Sequence, residues 1–233
     1  MLALAACYPL LAHLAVAAGS PALTVASLAA LAAAVLLRSL ARASVAAWLA
    51  AAAIAALLAL AERQSWVWLP LYAPSVAGDA AAAWVFGRTL VPGRTSLIER
   101  FICLLHAPGE ARDPRITAYA RRLTGAWTAL LAALGLASLA LALCAVPHGI
   151  LLEVGVAPPF SVAQDTWSLF ANVAEYVIVI GFFAGEYAYR RRRFPEQPSA
   201  GLVDFLRRLI AVTPRLFARP APRGNADRLG GRA

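Results

Sequence analysis

Lysine is absent from the sequence, so all 21 basic residues are arginine, and charge of either sign is scarce at 14% of the chain. That scarcity, with 61% apolar residues and a mean hydropathy of +0.70, excludes an ordinary soluble domain, where about a quarter of residues are charged. Cysteine is nearly missing too. Cys7, Cys103 and Cys144 offer no disulfide framework, and packing is the expected role of the two that lie in apolar runs. No glycine-rich nucleotide-binding loop occurs. A net charge of +9 and a pI near 10.5 invite nucleic acid as partner, but the arginines are distributed by topology, and no nucleic-acid partner is expected.

What the sequence has in abundance is long apolar runs: Leu2–Ala18, Ala22–Leu37, Val45–Ala61, Val67–Phe86, Leu123–Val146 and Trp167–Tyr189. These lengths predict an all-α, polytopic integral membrane bundle of six transmembrane helices. Residues 1–189 form the bundle, with a cytoplasmic loop over 87–122, and residues 190–233 form a basic tail. The first two runs are short and alanine-rich, and Gly19-Ser20-Pro21 between them suits a tight helical hairpin. Ala15-Val16-Ala17 resembles a signal-peptide cleavage site, but no positive region precedes it, so the first run is read as retained. Pro70 and Pro74 predict that the fourth run is bent, broken or re-entrant, with spanning helix from about Ser75.

Arginine placement orients the helices, because cytoplasmic loops are enriched in positive charge. Arg38 and Arg42 follow the second run; Arg88, Arg94, Arg100, Arg112, Arg115, Arg121 and Arg122 lie between the fourth and fifth; the tail holds the rest, and only Arg63 falls on the other side. Six spans with both termini in the cytoplasm satisfy this pattern, which in a bacterium means the inner membrane.

The long loop is the most patterned part of the chain. Gly-Arg-Thr occurs at Gly87-Arg88-Thr89 and again at Gly93-Arg94-Thr95. Ser96 precedes Glu99 by three residues, a capping-box signature opening an apolar helix that would lie along the membrane surface until Pro108. Arg88, Thr89, Arg94 and Thr95, with free N–H groups at that helix start, suit a phosphate or carboxylate head group. Anionic lipid, attracted to any arginine belt, accounts for the same residues. Cys103 and His106 have a spacing able to hold zinc on one helix face; without a second ligand pair, no metal site and no cofactor are expected.

The blocks Phe86-Gly87-Arg88-Thr89-Leu90, Pro92-Gly93-Arg94-Thr95, Leu97-Ile98-Glu99-Arg100, Tyr119 to Trp127, Trp167 to Asn172 and Glu186 to Pro195 resemble an uncharacterised bacterial membrane-protein family. That family is encountered in aryl-polyene pigment gene clusters, including xanthomonadin-type ones. The resemblance spans roughly residues 80–195. It implies association with polyene pigment assembly, lipid attachment or export, and brings no catalytic residue with it.

Three ionisable residues lie within the greasy segments: His13, Asp79 and Glu175. Such residues are costly in a bilayer and usually functional. On a helical wheel Glu175 and Glu186, eleven residues apart, share one stripe with Asn172 and Tyr176 beside them. Glu186 meets Arg190 one turn later, an interfacial ion pair. Asp79 and Glu175 lie at comparable depth; facing each other they would make a shared or carried proton feasible, and His13 is a third candidate member.

The tail opens with Arg190-Arg191-Arg192-Arg193, a stop-transfer signal, then an amphipathic stretch over Leu202 to Ile210 and a Pro-, Gly- and Arg-rich remainder that reads as disordered. Three functions remain open. The favoured one is a non-enzymatic membrane component that anchors pigment-biosynthetic proteins, with anionic lipid, an acidic carrier protein or other pigment-biosynthesis proteins as partners. The alternatives are a transporter or flippase for the polyene lipid, drawn from Asp79 and Glu175, and an acyl or lipid transferase near Arg88, Arg94 and His106. No catalytic residue is assigned, and the oligomeric state is left open.

Overall fold

The computed structural model describes residues 2–62, 65–105 and 114–193. They form an almost wholly helical bundle: α1 (Leu2–Ala17), α2 (Pro21–Ala41), α3 (Val45–Glu62), a 3-10 turn (Ser65–Trp68), α4 (Leu69–Gly87), α5 (Leu97–Leu105), α6 (Pro114–Cys144), α7 (Ile150–Glu153), α8 (Gln164–Leu169), a π-helical turn (Phe170–Ala174) and α9 (Glu175–Arg193). The exception to helix is a two-residue parallel pair, β1 (Ala145–Val146) with β2 (Val162–Ala163). Arg63, His106 and the tail stretch Leu202 to Ile210 lie outside the described residues.

Four helical segments are long and apolar enough to cross a membrane: Pro21–Ala41, Val45–Glu62, Pro114–Cys144 and the continuous Gln164–Arg193. The other two expected spans are helices as well, but α1 has 16 residues and α4 carries two prolines and Asp79. The expectation of a broken fourth segment is corrected. Its helix begins at Leu69, with Pro70 in the first turn, where a proline N–H is not missed, and runs through Pro74 to Gly87. Helix α6 likewise starts at Pro114, earlier than the expected Leu123, so residues 114–122 are helix rather than loop.

The long helices α1, α2, α3, α4, α6 and α9 alternate in direction. Ser20 caps α2 through a hydrogen bond from the Leu23 N–H, 3.4 Å, and Gly19, at φ +56, makes the turn that returns α2 along α1. The most extensive packing is between α4 and α6. Ser75 meets Ser138, Asp79 lies over Gly135, and Gly87 lies against Thr128, so the pair is antiparallel and in steady register. Helix α9 also runs antiparallel to α6, with Phe182 edge-on to Trp127 at 4.7 Å and Tyr119 near Tyr189. A buried apolar cluster including Tyr8, Ala12, Leu28, Leu58, Leu71 and Trp167 ties α1, α2 and α3 to α4 and α8.

The alternation gathers one class of residue at one end. Arg38 and Arg42 close α2, Arg88 closes α4, Arg115, Arg121 and Arg122 open α6, and Arg190 to Arg193 close α9. Among the described residues no arginine lies at the far end, where Trp68, Tyr72, His148 and Trp167 cluster instead.

In lipid, helices gain no hydrophobic drive from touching one another, so close packing of small residues has to hold them. A Cβ added at Gly135 would sit 3.0 Å from Asp79 Cβ, whereas one added at Gly181 meets nothing within 4 Å. Gly135→Leu is expected to lower the melting temperature of the detergent-solubilised protein, at a cost of about 1–3 kcal/mol from overpacking, and Gly181→Leu to leave it unchanged.

Candidate functional site: a polar seam inside the bundle

The polar residues of the bundle interior fall into two adjoining groups. In the first, Ser75 Oγ lies 2.7 Å from Ser138 Oγ and reaches the Glu175 carboxylate at 3.4 and 3.5 Å. Ser75 has one proton, so when it donates to Glu175 the donor in the serine pair is Ser138. Asp79 is one turn further along α4, on the face of Ser75. Its Oδ2 is fully buried and has no hydrogen-bond partner among the described residues. Glu175 is 7% exposed and lies within electrostatic reach of Asp79, so α4 and α9 bring the two carboxylates toward one another across α6.

The second group is one helical turn toward the far end. His13 Nδ1 of α1 lies 3.1 Å from Ser168 Oγ, and Asn172 Nδ2 donates to the Ser168 carbonyl at 3.0 Å and to its hydroxyl at 3.3 Å. His13 is therefore held by Ser168 rather than by either carboxylate. The π-helical turn joins the groups, with Asn172 inside it and Glu175 immediately after it. Its wider winding adds a residue to the turn and re-aims the helix beyond it, a distortion often found at functional sites.

Three turns along α9 from Glu175, Glu186 accepts a hydrogen bond from Tyr119 Oη at 3.1 Å and pairs with Arg190 Nε at 3.3 Å. The wheel offset for eleven residues is only about 20°, and both acids do face α6. Their surroundings differ: Glu186 has a cation and a phenol, Glu175 two serines.

The arginine loop is built differently from the expected anion cradle. Thr89 is 5% exposed; its hydroxyl donates to the Phe86 carbonyl at 2.7 Å and accepts from the Leu97 N–H at 3.0 Å. The Ile98 N–H donates to Thr124 Oγ1 at 3.4 Å, and the Ser96 N–H to Glu99 Oε2 at 3.3 Å. The start of α5 thus spends its N–H groups on hydroxyls and a carboxylate of this chain, and Thr89 serves as a cap in place of the anion contact expected of it. Helix α5 packs on α6, with Leu97 buried, so its apolar face is partly turned inward rather than wholly toward a membrane surface. Arg88, Arg94 and Thr95 remain exposed, Arg88 lying over the Trp84 ring at 4.5 Å.

Sequence reasoning missed Arg121, Thr124, Ser75 and Ser138. Arg121 donates to the carbonyls of Arg94, at 3.2 Å, and Leu90, fastening the loop to α6. By charge alone it is indistinguishable from Arg122, which is exposed. Spacing did hold a signal for the serines: Ser75 is four residues before Asp79, and Ser138 three after Gly135, each on the same helix face. The far end also holds partly buried polar groups. Trp68 stacks on His148 at 5.4 Å, His148 Nδ1 is 3.3 Å from Glu153, and Tyr72 Oη donates to the His148 carbonyl at 3.0 Å.

Comparison with protein-family models, curated proteins and solved structures finds no match to this chain.

Removing the Thr89 hydroxyl would leave the Leu97 N–H buried without an acceptor, a penalty of about 1–3 kcal/mol. Thr89→Val is expected to speed hydrogen exchange at the start of α5 and lower thermal stability, and Thr89→Ser to restore both.

Proposed function

We propose that this protein is an integral accessory component of the bacterial inner membrane that anchors or organises the proteins of aryl-polyene pigment assembly. In this reading α1 and α4 complete six passes, and both termini lie in the cytoplasm. The observation that carries it is the gathering of arginines at one end of the alternating helices, with Arg88, Arg94, Arg100 and Arg122 exposed there. Such an end suits anionic lipid and acidic carrier proteins, each arginine near a charged surface contributing about 1 kcal/mol. The pigment setting comes from the residue blocks over 80–195 alone.

The site geometry favours this reading over a phosphate-specific ligand site or a transferase. The N–H groups that a phosphate would need are already bonded within the chain, which leaves diffuse charge as the available attraction. Replacing Arg88, Arg94, Arg100 and Arg122 together by Gln is expected to abolish salt-sensitive capture of an acidic carrier protein by the protein in neutral-lipid nanodiscs. Undiminished capture, or recovery of no pigment-biosynthetic protein after crosslinking in cells, would count decisively against anchoring.

A second reading, transport of the polyene lipid across the membrane, is supported by Asp79 Oδ2, without a hydrogen-bond partner among the described residues, and by Glu175 within its electrostatic reach. Asp79→Ala and Glu175→Ala are expected under it to leave finished pigment on the inner membrane, as read by fractionation and absorbance. Normal delivery in both variants would sink it.

A further inference from the structure

Two carboxylates inside an apolar bundle have to be neutralised, because an uncompensated charge there costs several kcal/mol. Among the described residues, neither Asp79 nor Glu175 has an ion pair. The packed segments among the described residues supply no fixed cation: α4, the stretch of α6 from Trp127 to Cys144 and α9 as far as Tyr189 contain no basic residue. The titratable groups nearby are Tyr176, within electrostatic reach of both carboxylates, and Tyr8 on α1, within reach of Tyr176; His13 is engaged with Ser168. Neutralisation therefore comes from something mobile.

The donor set indicates what that is. Oxygen atoms of Ser75, Ser138, Glu175 and Asp79 are the groups at hand, and α4 and α6 are unbroken helix at this level. Alkali-cation sites in membrane helices draw on unwound backbone carbonyls to complete their coordination; α4 and α6 offer none here. A proton needs only one carboxyl oxygen and one acceptor. Asp79 Oδ2, buried and without a partner, is such an oxygen, and Glu175, held by a serine hydroxyl at 3.4 to 3.5 Å, is the other acid in reach.

We propose that Asp79 and Glu175 form an exchangeable proton-binding site in the membrane interior, with Ser75 positioning Glu175 by donating to its ionised form and Ser138 orienting Ser75 by donating to it. The step is an acid–base exchange: a carboxyl O–H forms as water or hydronium gives up its proton, and breaks when the proton returns to solvent. The site lies about 22 Å along α9 from Arg190 and about 16 Å from Gln164 by the helical rise. The proposal deepens the transport reading and rests on it only for the use made of the proton, since binding is measured without any transported lipid.

The test is pH-difference infrared spectroscopy of the full chain in neutral-lipid nanodiscs. The wild-type protein is expected to show a carboxylic-acid carbonyl band that appears on acidification, is lost in both Asp79→Asn and Glu175→Gln, and survives in Tyr176→Phe. Both amide variants are neutral near-isosteres. Should one fail to fold, judged by its melting temperature and elution profile, the other decides. A spectrum unchanged in the folded variants overturns the proposal. So does a band that vanishes when sodium is added at fixed pH, which would make this a metal-cation site. Loss of the band together with normal pigment delivery would sink transport while leaving the proton site standing.

Discussion

The contact on which the bundle's interior depends is the approach of α4 to α6 at Gly135. A hydrogen atom stands there where any other residue would place carbon 3.0 Å from Asp79 Cβ. Because lipid tails compete with apolar side chains for the same dispersion contacts, this closeness rather than hydrophobicity holds the helices together. It also sets the chemistry. With the backbones near, the short hydroxyls of Ser75 and Ser138 reach one another and Ser75 reaches the Glu175 carboxylate, while Asp79 Oδ2 is buried without a hydrogen-bond partner among the described residues.

The two ends of the molecule handle polar groups in opposite ways. At the arginine end, backbone donors and acceptors are closed off by side chains of the same chain: Thr89 and Thr124 on α5, Glu99 on Ser96, Arg121 on the carbonyls of the loop. The guanidinium groups beyond them are a solvent-facing layer on a finished scaffold. At the far end aromatic rings do the closing, with Tyr72 edge-on to Trp167 at 4.4 Å and bonded to the His148 carbonyl.

Legibility in the sequence followed the length scale of each signal. Apolar runs of about twenty residues and arginines at the ends of helices are long-range patterns, and a helix covers most of each run. Helix α6 nevertheless begins at Pro114, well before its run, and four of the segments are long and apolar enough to cross a membrane. Proline was misleading. Pro70 falls in a first turn and Pro74, one turn later, withholds a single N–H donor while the helix continues to Gly87, so the rule that proline breaks helices did not apply at Leu69–Gly87. Asp79 and Glu175 were readable because a carboxylate in an apolar run is rare. Ser75 and Ser138 were not, because serine is common in membrane helices and only the register of two helices gives these two a role. Thr89 was misjudged for a related reason: a hydroxyl beside arginines suits an anion in sequence, yet in three dimensions the nearest unsatisfied donor was an N–H of its own chain.

The π-helical turn Phe170–Ala174 left no mark in the sequence, since Phe-Ala-Asn-Val-Ala contains neither glycine nor proline. It makes the azimuth of α9 a matter of chain count rather than of side-chain preference. One residue fewer between Phe170 and Ala174 would rewind that turn as α-helix and swing everything beyond it by roughly 100°. Glu175 would leave the serines and Glu186 would leave Tyr119 in the same motion, so the interior acid and the acid at the arginine end are set by a single mechanical phase.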